Sequence, residues 1–387
     1  MDHFLQKIES LVDKVEDGSR LPLQPLVSVF VITYNHEKYI SQALDGVLMQ
    51  QVDFPYEIVV GEDKSTDRTR DIVCEYQRRH PDKIRLRLSR ENLYSQKLKP
   101  GWGVLGACRG KYIAMCEGDD YWTDPLKLQK QVDYLDAHPE CAMCFHDRHM
   151  VDSNNAIIEN SHLPMVMKRF LTRSDIVRWT FPVPPTSTVM YRAKHIVDLP
   201  AWTRKTFFGD RAMAILATQQ GLAGYVEDIA PSAYRIHPGG VFRRLNRAAQ
   251  ELKTLQFSRD VLEWVVMSQS DKRRLANMIV WGQCFVWRER RTLPRGAWSA
   301  EMRQHLAFLV RKPSCIWPLV QAVARHIFRT VFRALQHLFQ CLFHGAVIVM
   351  KRILPGRMYA SIRAGYRRIV DPNVPTGEGA TPPGAGR

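Results

Sequence analysis

The feature that most constrains the fold of this chain is the alternation of short apolar runs with helical segments over its first 150 residues. Residues 26–33, LVSVFVIT, are almost entirely apolar, which is typical of a parallel strand buried on both faces. Further strands are predicted at residues 57–61, 84–88, 111–116 and 141–149, with helices at residues 39–49, 67–79 and 125–137. Strands that alternate with helices predict an α/β fold around a mostly parallel sheet.

Such a sheet indicates where a ligand would bind. In open α/β sheets, ligands lie beyond the carboxyl ends of the strands. We therefore expect the chemistry of this chain just after Thr33, Gly61 and Cys116, where three of the predicted strands end.

The remainder of the chain is predominantly helical in pattern. Helices are predicted at residues 246–268, 271–290, 298–310 and 316–352, and a short one at residues 4–16. Residues 371–387 are rich in proline and glycine and are expected to be disordered. The predicted segments are an N-terminal helical segment (1–24), a catalytic domain (25–245), a basic helical region (246–370) and the tail (371–387).

Charge is concentrated towards the C-terminus. The net charge is +16, and residues 311–387 hold twelve lysines and arginines against two acidic residues. Arg325, Arg329 and Arg333 form one stripe of an otherwise apolar predicted helix, which favours a helix lying on an anionic membrane. A helix packed on its own domain would show the same pattern.

The predicted location follows from the N-terminus and the cysteines. The first 20 residues lack the apolar stretch of a signal peptide. The eight cysteines are therefore expected to be reduced thiols in a cytoplasmic protein. Together with the basic helix, this predicts peripheral attachment to the inner face of the cell membrane.

An acidic motif directly follows the predicted strand at residues 111–116. Glu117, Asp119 and Asp120 bring carboxylates together, and such groups are costly to keep ionised without a cation. They would form an oxygen site suited to Mg²⁺ or Mn²⁺, able to hold a diphosphate as well. An acidic turn capping the helix near Pro125 is the alternative, but the position at a strand end favours the metal.

A second polar motif, GEDKSTD, occupies residues 61–67. The carboxylate of Asp63 could accept a hydrogen bond from the imide N–H of a pyrimidine base. An ordinary turn between strand and helix, with Asp67 as the N-cap, would give the same residues. Both interpretations can hold together, with Asp67 capping the helix and Asp63 binding the ligand.

Three ordered segments resemble the family 2 glycosyltransferases of the GT-A fold: residues 27–35, 57–67 and 110–122. The resemblance covers about residues 25–240. It implies a GT-A type, Rossmann-like mixed sheet and an enzyme that transfers sugar from a nucleotide-sugar with inversion, using Mn²⁺ or Mg²⁺. It also implies nucleotide contacts near Thr33, Tyr34 and Asn35, base recognition by Asp63, a ribose or diphosphate contact by Asp119, and metal binding by Asp120.

The sequence departs from the pattern of that family at two places. The usual Asp-Asp-Gly is replaced by Glu62, Asp63 and Lys64, so that a lysine stands where glycine is usual. Tyr94 stands where a glycine often follows Asn-Leu. The first change affects a turn and the second would affect the donor pocket.

Two later residues complete the predicted site. Asp210 precedes an apolar helix, and its position resembles that of the family's acceptor-side base, which would deprotonate the acceptor hydroxyl. An N-cap aspartate is the alternative for Asp210. His237, in the segment YRIHPGG, is similar to a late histidine that GT-A enzymes place on the metal or the leaving group. A purely structural histidine is the alternative there.

The predicted function is transfer of a sugar from a UDP- or dTDP-sugar to a glycan or lipid-linked acceptor in cell-envelope polysaccharide synthesis. A nucleotidyltransferase would share the strand-end metal, but residues 31–39 lack the glycine-rich loop such enzymes usually carry. The pI of about 9.6 suggests a nucleic-acid-binding protein. Such a protein would carry its basic residues among aromatic side chains on one exposed face, whereas here they lie beside long apolar runs. The intact acidic motif and Asp210 argue against an inactive sugar-binding module.

Overall fold

A computed structural model of the chain describes residues 3–158, 162–178, 184–198, 200–242, 244–293 and 296–311, together with 320, 321, 323, 324, 327 and 328. The chain divides into two compact units, Met1–Leu319 and Val320–Arg387. The described residues of the second unit are helical. The sheet and the candidate site both belong to the first unit.

The first unit is built on an eight-stranded mixed sheet. Its strands are β1 (Val12–Val15), β2 (Val27–Thr33), β3 (Tyr56–Glu62), β4 (Ile84–Ser89), β5 (Tyr112–Glu117), β6 (Cys141–Phe145), β8 (Met190–Arg192) and β9 (Leu222–Tyr225), in the order β1-β4-β3-β2-β5-β8-β6-β9. Two further strands, β7 (Arg148–Val151) and β10 (Ser232–Arg235), form a separate parallel pair. Strands β4, β3, β2 and β5 are parallel, whereas β1 and β8 run antiparallel to their neighbours. The mixed, mostly parallel GT-A type sheet is therefore confirmed.

Helices cover both faces of this sheet. They are α1 (His3–Glu9), α2 (Ile40–Leu48), α3 (Thr69–Arg79), α4 (Pro100–Ala107), α5 (Lys127–Ala137), α6 (Arg173–Arg178), α7 (Gly209–Ala217), α8 (Arg247–Trp264), α9 (Gln269–Arg288) and α10 (Ala297–Arg311). On one face, Val29 and Val31 of β2 share a buried cluster with Ile40 and Leu44 of α2. On the other face, Phe30 lies against Gly101 of α4. Each apolar side chain fully buried in this way contributes about 1.5–3 kcal/mol.

The N-terminal segment differs from its prediction. The helix predicted at residues 4–16 ends at Glu9, and the chain then forms β1, which pairs with the edge of β4 through Val12 opposite Ser89. Pairing of the sheet edge satisfies backbone groups that a longer helix would leave exposed. An ion pair between Glu16 and Arg85 of β4, 2.7 Å long, further holds β1 at this edge.

The segment predicted as one strand at residues 141–149 forms two separate strands in the structure. β6 ends at Phe145 and β7 begins at Arg148, in the separate pair with β10. Between them Asp147 accepts hydrogen bonds from the backbone N–H groups of Arg148, at 2.9 Å, and Leu163, at 2.7 Å. These bonds turn the chain from one sheet to the other.

The C-terminal helical pattern is confirmed as far as residue 311. Helices α8, α9 and α10 correspond to the predicted helices at 246–268, 271–290 and 298–310, and all lie within the same compact unit as the sheet. Among the described helices, none is both long and apolar enough to cross a membrane. Most of the predicted basic helix at 316–352, and the whole of the tail at 371–387, fall outside the described residues.

Candidate active site

The site is assembled where β2 and β5 end side by side. Ile32 of β2 pairs with Glu117 of β5, and the N–H of Gly118 donates to the carbonyl oxygen of Ile32 at 2.9 Å. A Cβ atom on Gly118 would lie 2.7 Å from Oγ1 of Thr33. Glycine is therefore required within the acidic motif, because only it lets the two loops approach this closely.

Three potential metal ligands converge at this edge: His36, Asp119 and His237. Nε2 of His237 lies 3.0 Å from Oδ2 of Asp119, and Nε2 of His36 lies 3.7 Å from the same oxygen. Their ligand atoms all lie within 4.8 Å of one another, and no second group of this kind occurs in the part of the chain that the structure describes. The late histidine predicted from the sequence thus reaches the acidic motif.

The charges of this group suit a cation. Burial raises the pKa of Asp119, but the hydrogen bond from His237 and the nearby His36 outweigh it, so the pKa of Asp119 is lowered. Burial lowers the pKa of His36 and exceeds the opposing attraction of Asp119. An ionised carboxylate beside a neutral imidazole is the protonation state that divalent metal ions require of their ligands.

Asp120 points elsewhere. Its Oδ1 accepts a hydrogen bond from the backbone N–H of Arg235 at 2.9 Å, and the hydroxyl of Ser187 is close enough to the buried carboxylate to oppose the effect of burial on its pKa. Burial, and then the charge of Asp119, raise the pKa of Asp120 well above its usual value. The structure therefore brings His237 to Asp119, and the assignment of the metal to Asp120 stays a prediction.

A buried arginine supports the acidic turn from behind. Arg235, the last residue of β10, donates from Nε to the backbone oxygen of Asp119 at 2.8 Å and from Nη2 to Oε1 of Gln42 at 2.9 Å. Its guanidinium also lies 4.5 Å from the ring centroid of Tyr39, a cation–π distance. Arg235 thus connects the loop after β5 to helix α2, and no local pattern in the sequence predicts this role.

The predicted nucleotide residues after β2 have different surroundings. Thr33 is buried and places Oγ1 3.3 Å from Nδ1 of His36. Asn35 has a φ of 55° and accepts a hydrogen bond from the N–H of Thr66 at 2.8 Å, which joins the loops after β2 and β3. Tyr34 is 38% exposed. Of the three predicted contacts, Tyr34 is the one whose side chain faces solvent.

Asp63 is buried beneath the loop after β4. Its two carboxylate oxygens accept hydrogen bonds from the backbone N–H groups of Leu93, at 2.8 Å, and Tyr94, at 3.1 Å. Burial raises the pKa of Asp63, and this effect is larger than the opposing effect of the two hydrogen bonds. Each oxygen retains a further lone pair, so base recognition by Asp63 stays a prediction. Its neighbour Lys64 has a φ of 58°, in the left-handed region that favours the glycine usual at this position.

Asp210 lies in the first turn of α7 and does not cap it. The helix begins at Gly209, and its N-cap is Phe208, which makes no side-chain capping bond. Burial, Asp119 and Asp120 raise the pKa of Glu117, and the charge of Asp210 adds a smaller effect in the same direction. Burial lowers the pKa of Lys99 to about 8, and the charge of Asp210 opposes this effect. The candidate base therefore lies within electrostatic reach of the acidic motif.

Three residues near this site were given no role from the sequence: His36, Lys99 and Arg235. His36 could have been found, because it closely follows Thr33, where one of the predicted strands ends. Lys99 is the N-cap residue of helix α4 and makes no side-chain capping bond, and Arg235 is the last residue of β10 in the second sheet. No local signal places Lys99 near Asp210 or Arg235 behind the acidic motif.

Comparison with known proteins agrees with this geometry. Residues 28–199 match the family described as glycosyl transferase family 2. An uncharacterised protein of Mycobacterium tuberculosis is 41% identical over 176 residues, covering 45% of this chain and 49% of that protein. The poly(ribitol-phosphate) beta-N-acetylglucosaminyltransferase TarS of Staphylococcus aureus is 35% identical over 115 residues, covering 29% of this chain and 19% of that protein.

Similarity to solved structures is limited. The crystal structure of S. aureus TarS 1-349 in complex with UDP-GlcNAc is similar with a TM-score of 0.49 and 20% sequence identity, covering 65% of this chain and 71% of that chain. The chain spans about half the length, or less, of the curated relatives it matches. Residues 28–199 of this chain therefore belong to glycosyl transferase family 2.

Proposed function

We propose that the chain is an inverting glycosyltransferase that transfers a sugar from a UDP- or dTDP-sugar to a glycan or lipid-linked acceptor of the cell envelope. The observation that carries the proposal is the group of His36, Asp119 and His237 at the carboxyl edge of the sheet, together with a further carboxylate, Asp210, that is near enough to the acidic motif to affect the pKa of Glu117. A cation site and a separate base are the two parts that such a transfer needs.

The donor would bind on the side of the acidic motif. Asp119 and His237 would hold Mn²⁺ or Mg²⁺, and the buried carboxylate of Asp120 would be stabilised by the same positive charge. When bound, the ion would neutralise the diphosphate of the donor as it departs. Asp63, together with the exposed ring of Tyr34, would contact the nucleoside.

The acceptor would bind on the side of Asp210. In the proposed reaction, Asp210 takes the proton of the acceptor hydroxyl while that oxygen forms a bond to the anomeric carbon of the sugar. The bond from the anomeric carbon to the diphosphate oxygen breaks, and its electron pair leaves with the nucleoside diphosphate. A single displacement of this kind inverts the anomeric centre.

The class of acceptor is supported by a relative and by the sequence of the C-terminal region. The matched part of TarS belongs to a transferase named for a polymer, poly(ribitol-phosphate). The basic residues after 311 would attract anionic lipid at about 1 kcal/mol each near the surface. Flotation with liposomes of increasing anionic lipid content tests the proposed peripheral attachment, and a protein that ignores such liposomes would remove this support for a lipid-linked acceptor.

The activity itself is tested by a donor screen. The full-length protein is incubated with UDP-, dTDP- and GDP-sugars, and release of nucleoside diphosphate is measured with Mn²⁺ and with excess chelator. We expect metal-dependent release from a UDP- or dTDP-sugar and loss of that release in Asp119→Asn, while Asp82→Asn, a change at an exposed carboxylate, serves as the matched control. Full activity in excess chelator, or no release from any donor, would contradict the proposal.

A further inference from the structure

We propose that His36 is a third protein ligand of the cation, so that the site binds Mn²⁺ in strong preference to Mg²⁺. This inference rests on the proposed function and deepens it, because it identifies the metal ion that the transferase uses. Asp119 of the acidic motif and His237 account for two ligands. The third, His36, lies in the loop after β2, which adjoins the acidic motif because β2 and β5 are paired.

The distances suit three ligands around one ion. Two ligands that each lie about 2.1 Å from an octahedral ion are separated by about 3 Å when adjacent and about 4.2 Å when opposite. The 3.0 Å separation between His237 and Asp119 matches adjacent ligands, and the 3.7 Å separation between His36 and Asp119 falls between the two values. Small side-chain adjustments would bring all three atoms to one centre, with the remaining positions open to a diphosphate or water.

The ring of His36 is held in the orientation that a ligand needs. Its Nδ1 lies 3.3 Å from Oγ1 of Thr33, so a proton on Nδ1 would bond to this hydroxyl and leave the lone pair of Nε2 facing Asp119. Metal-binding histidines are usually fixed in this way by a partner on the other ring nitrogen. The backbone N–H of His36 donates to Oγ1 of Thr69 at 2.8 Å, which anchors the loop independently of the imidazole.

The donor set determines the preference between metals. Mg²⁺ takes oxygen ligands almost exclusively, whereas imidazole nitrogen suits transition ions and a carboxylate suits Mn²⁺. Two imidazoles and one carboxylate therefore favour Mn²⁺ over Mg²⁺. With His36 outside the site, one imidazole and one carboxylate would discriminate less between the two ions.

The test measures Mn²⁺ binding to the full-length protein without any nucleotide. Electron paramagnetic resonance gives the affinity, and electron spin-echo modulation counts the nitrogen atoms bound to Mn²⁺. We expect two imidazole nitrogens in the unaltered protein and one in His36→Ala, with an affinity at least tenfold lower, because even outer partners of metal ligands are worth 10–100-fold. Mg²⁺ should displace Mn²⁺ only at a large excess in the unaltered protein and more readily in the variant.

A matched histidine serves as the control. His195→Ala, at the end of a short turn after β8, should leave both the nitrogen count and the affinity unchanged. Should His36→Ala unfold, as judged by circular dichroism, His36→Gln offers an amide of similar size and is expected to show the same loss of one nitrogen.

The outcomes separate this inference from the proposed function. An unaltered protein with one bound nitrogen, or a His36 variant that keeps two nitrogens and full affinity, overturns the third ligand even when donor hydrolysis is observed. Two nitrogens that fall to one in the variant support it, even in a protein that hydrolyses no nucleotide-sugar, in which case the proposed function fails alone.

Discussion

Arg235 and Asp119 are joined behind the acidic turn, where Nε of the buried arginine donates to the backbone carbonyl oxygen of the aspartate at 2.8 Å. The backbone N–H of Arg235 also donates to Asp120 at 2.9 Å. Arg235→Lys keeps the positive charge and this backbone bond but cannot reproduce the guanidinium fork that reaches Asp119 and Gln42. We expect the affinity for Mn²⁺ and the turnover number to fall by about 10–100-fold, because a group that orients metal ligands is lost.

A second buried arginine provides the comparison for that variant. Arg259 is buried in α8 and pairs with Glu301 of α10, far along the chain from the acidic motif. Arg259→Lys should lower the free energy of unfolding without changing the affinity for Mn²⁺. Equal losses of metal affinity in the two variants would show that Arg235 acts through general stability and not through the orientation of Asp119.

Asp210→Asn tests the proposed base. The change keeps the shape of the side chain and removes the proton acceptor, so transfer to the acceptor should fall by about 10²–10⁴-fold. The affinity for the donor, measured by calorimetry in the presence of Mn²⁺, should stay nearly unchanged. Transfer at the unaltered rate would place the base elsewhere, and a product with retained anomeric configuration, seen by NMR, would refute a single displacement.

The central sheet and its ligand edge could be predicted from the sequence because their signals are local. The run at residues 26–33 and the acidic motif after residue 116 each carry their information within a few positions, and parallel pairing of β2 with β5 brings their ends together. The acidic motif and His237 are predicted to share one site, and Nε2 of His237 lies 3.0 Å from Oδ2 of Asp119, although the sequence-based prediction assigns the metal to Asp120 with His237.

The features that could not be predicted from the sequence depend on contacts between segments that lie far apart in the chain. β1 forms because β4 offers an unpaired edge, which overrides the helical pattern of residues 4–16. The role of Arg235 requires β10 to lie under the acidic turn, 115 positions away in the chain. The residues alone do not divide the roles of Asp119 and Asp120, since both follow the same strand. In the structure, Asp119 lies beside His237, whereas Asp120 accepts a hydrogen bond from the backbone N–H of Arg235.

Lys64→Gly tests the backbone of the loop after β3. Lys64 has a φ of 58°, a conformation that costs a residue with a Cβ atom roughly 1–2 kcal/mol, whereas glycine loses about 0.5–1 kcal/mol through its greater freedom in the unfolded chain. We expect the free energy of unfolding to rise by about 0.5–1 kcal/mol, measured by urea denaturation. Lys38→Gly, at an exposed lysine that is not among the residues of positive φ, should lower it.

Lys127, at the start of α5, is fully buried. Its Nζ lies 3.9 Å from the ring centroid of Trp122 and donates to Oε1 of Gln131 at 2.6 Å. Burial lowers the pKa of Lys127 to about 7, against the opposing effect of nearby Cys144. In the unfolded chain, a lysine has a pKa of about 10.4, so the folded and unfolded states bind different numbers of protons above neutral pH.

The sign of the pH dependence follows from that difference. Between about pH 7 and 10 the unfolded chain holds a proton on Lys127 that the folded protein lacks, so raising the pH favours folding by up to about 1.4 kcal/mol per unit through this residue. Lys127→Met, of similar length, removes this contribution. Urea denaturation at pH 7.5, 8.5 and 9.5 should show the stability of the unaltered protein increasing with pH relative to the variant. Parallel pH profiles would mean that Lys127 keeps its charge in the folded protein, held by the Trp122 ring and Gln131.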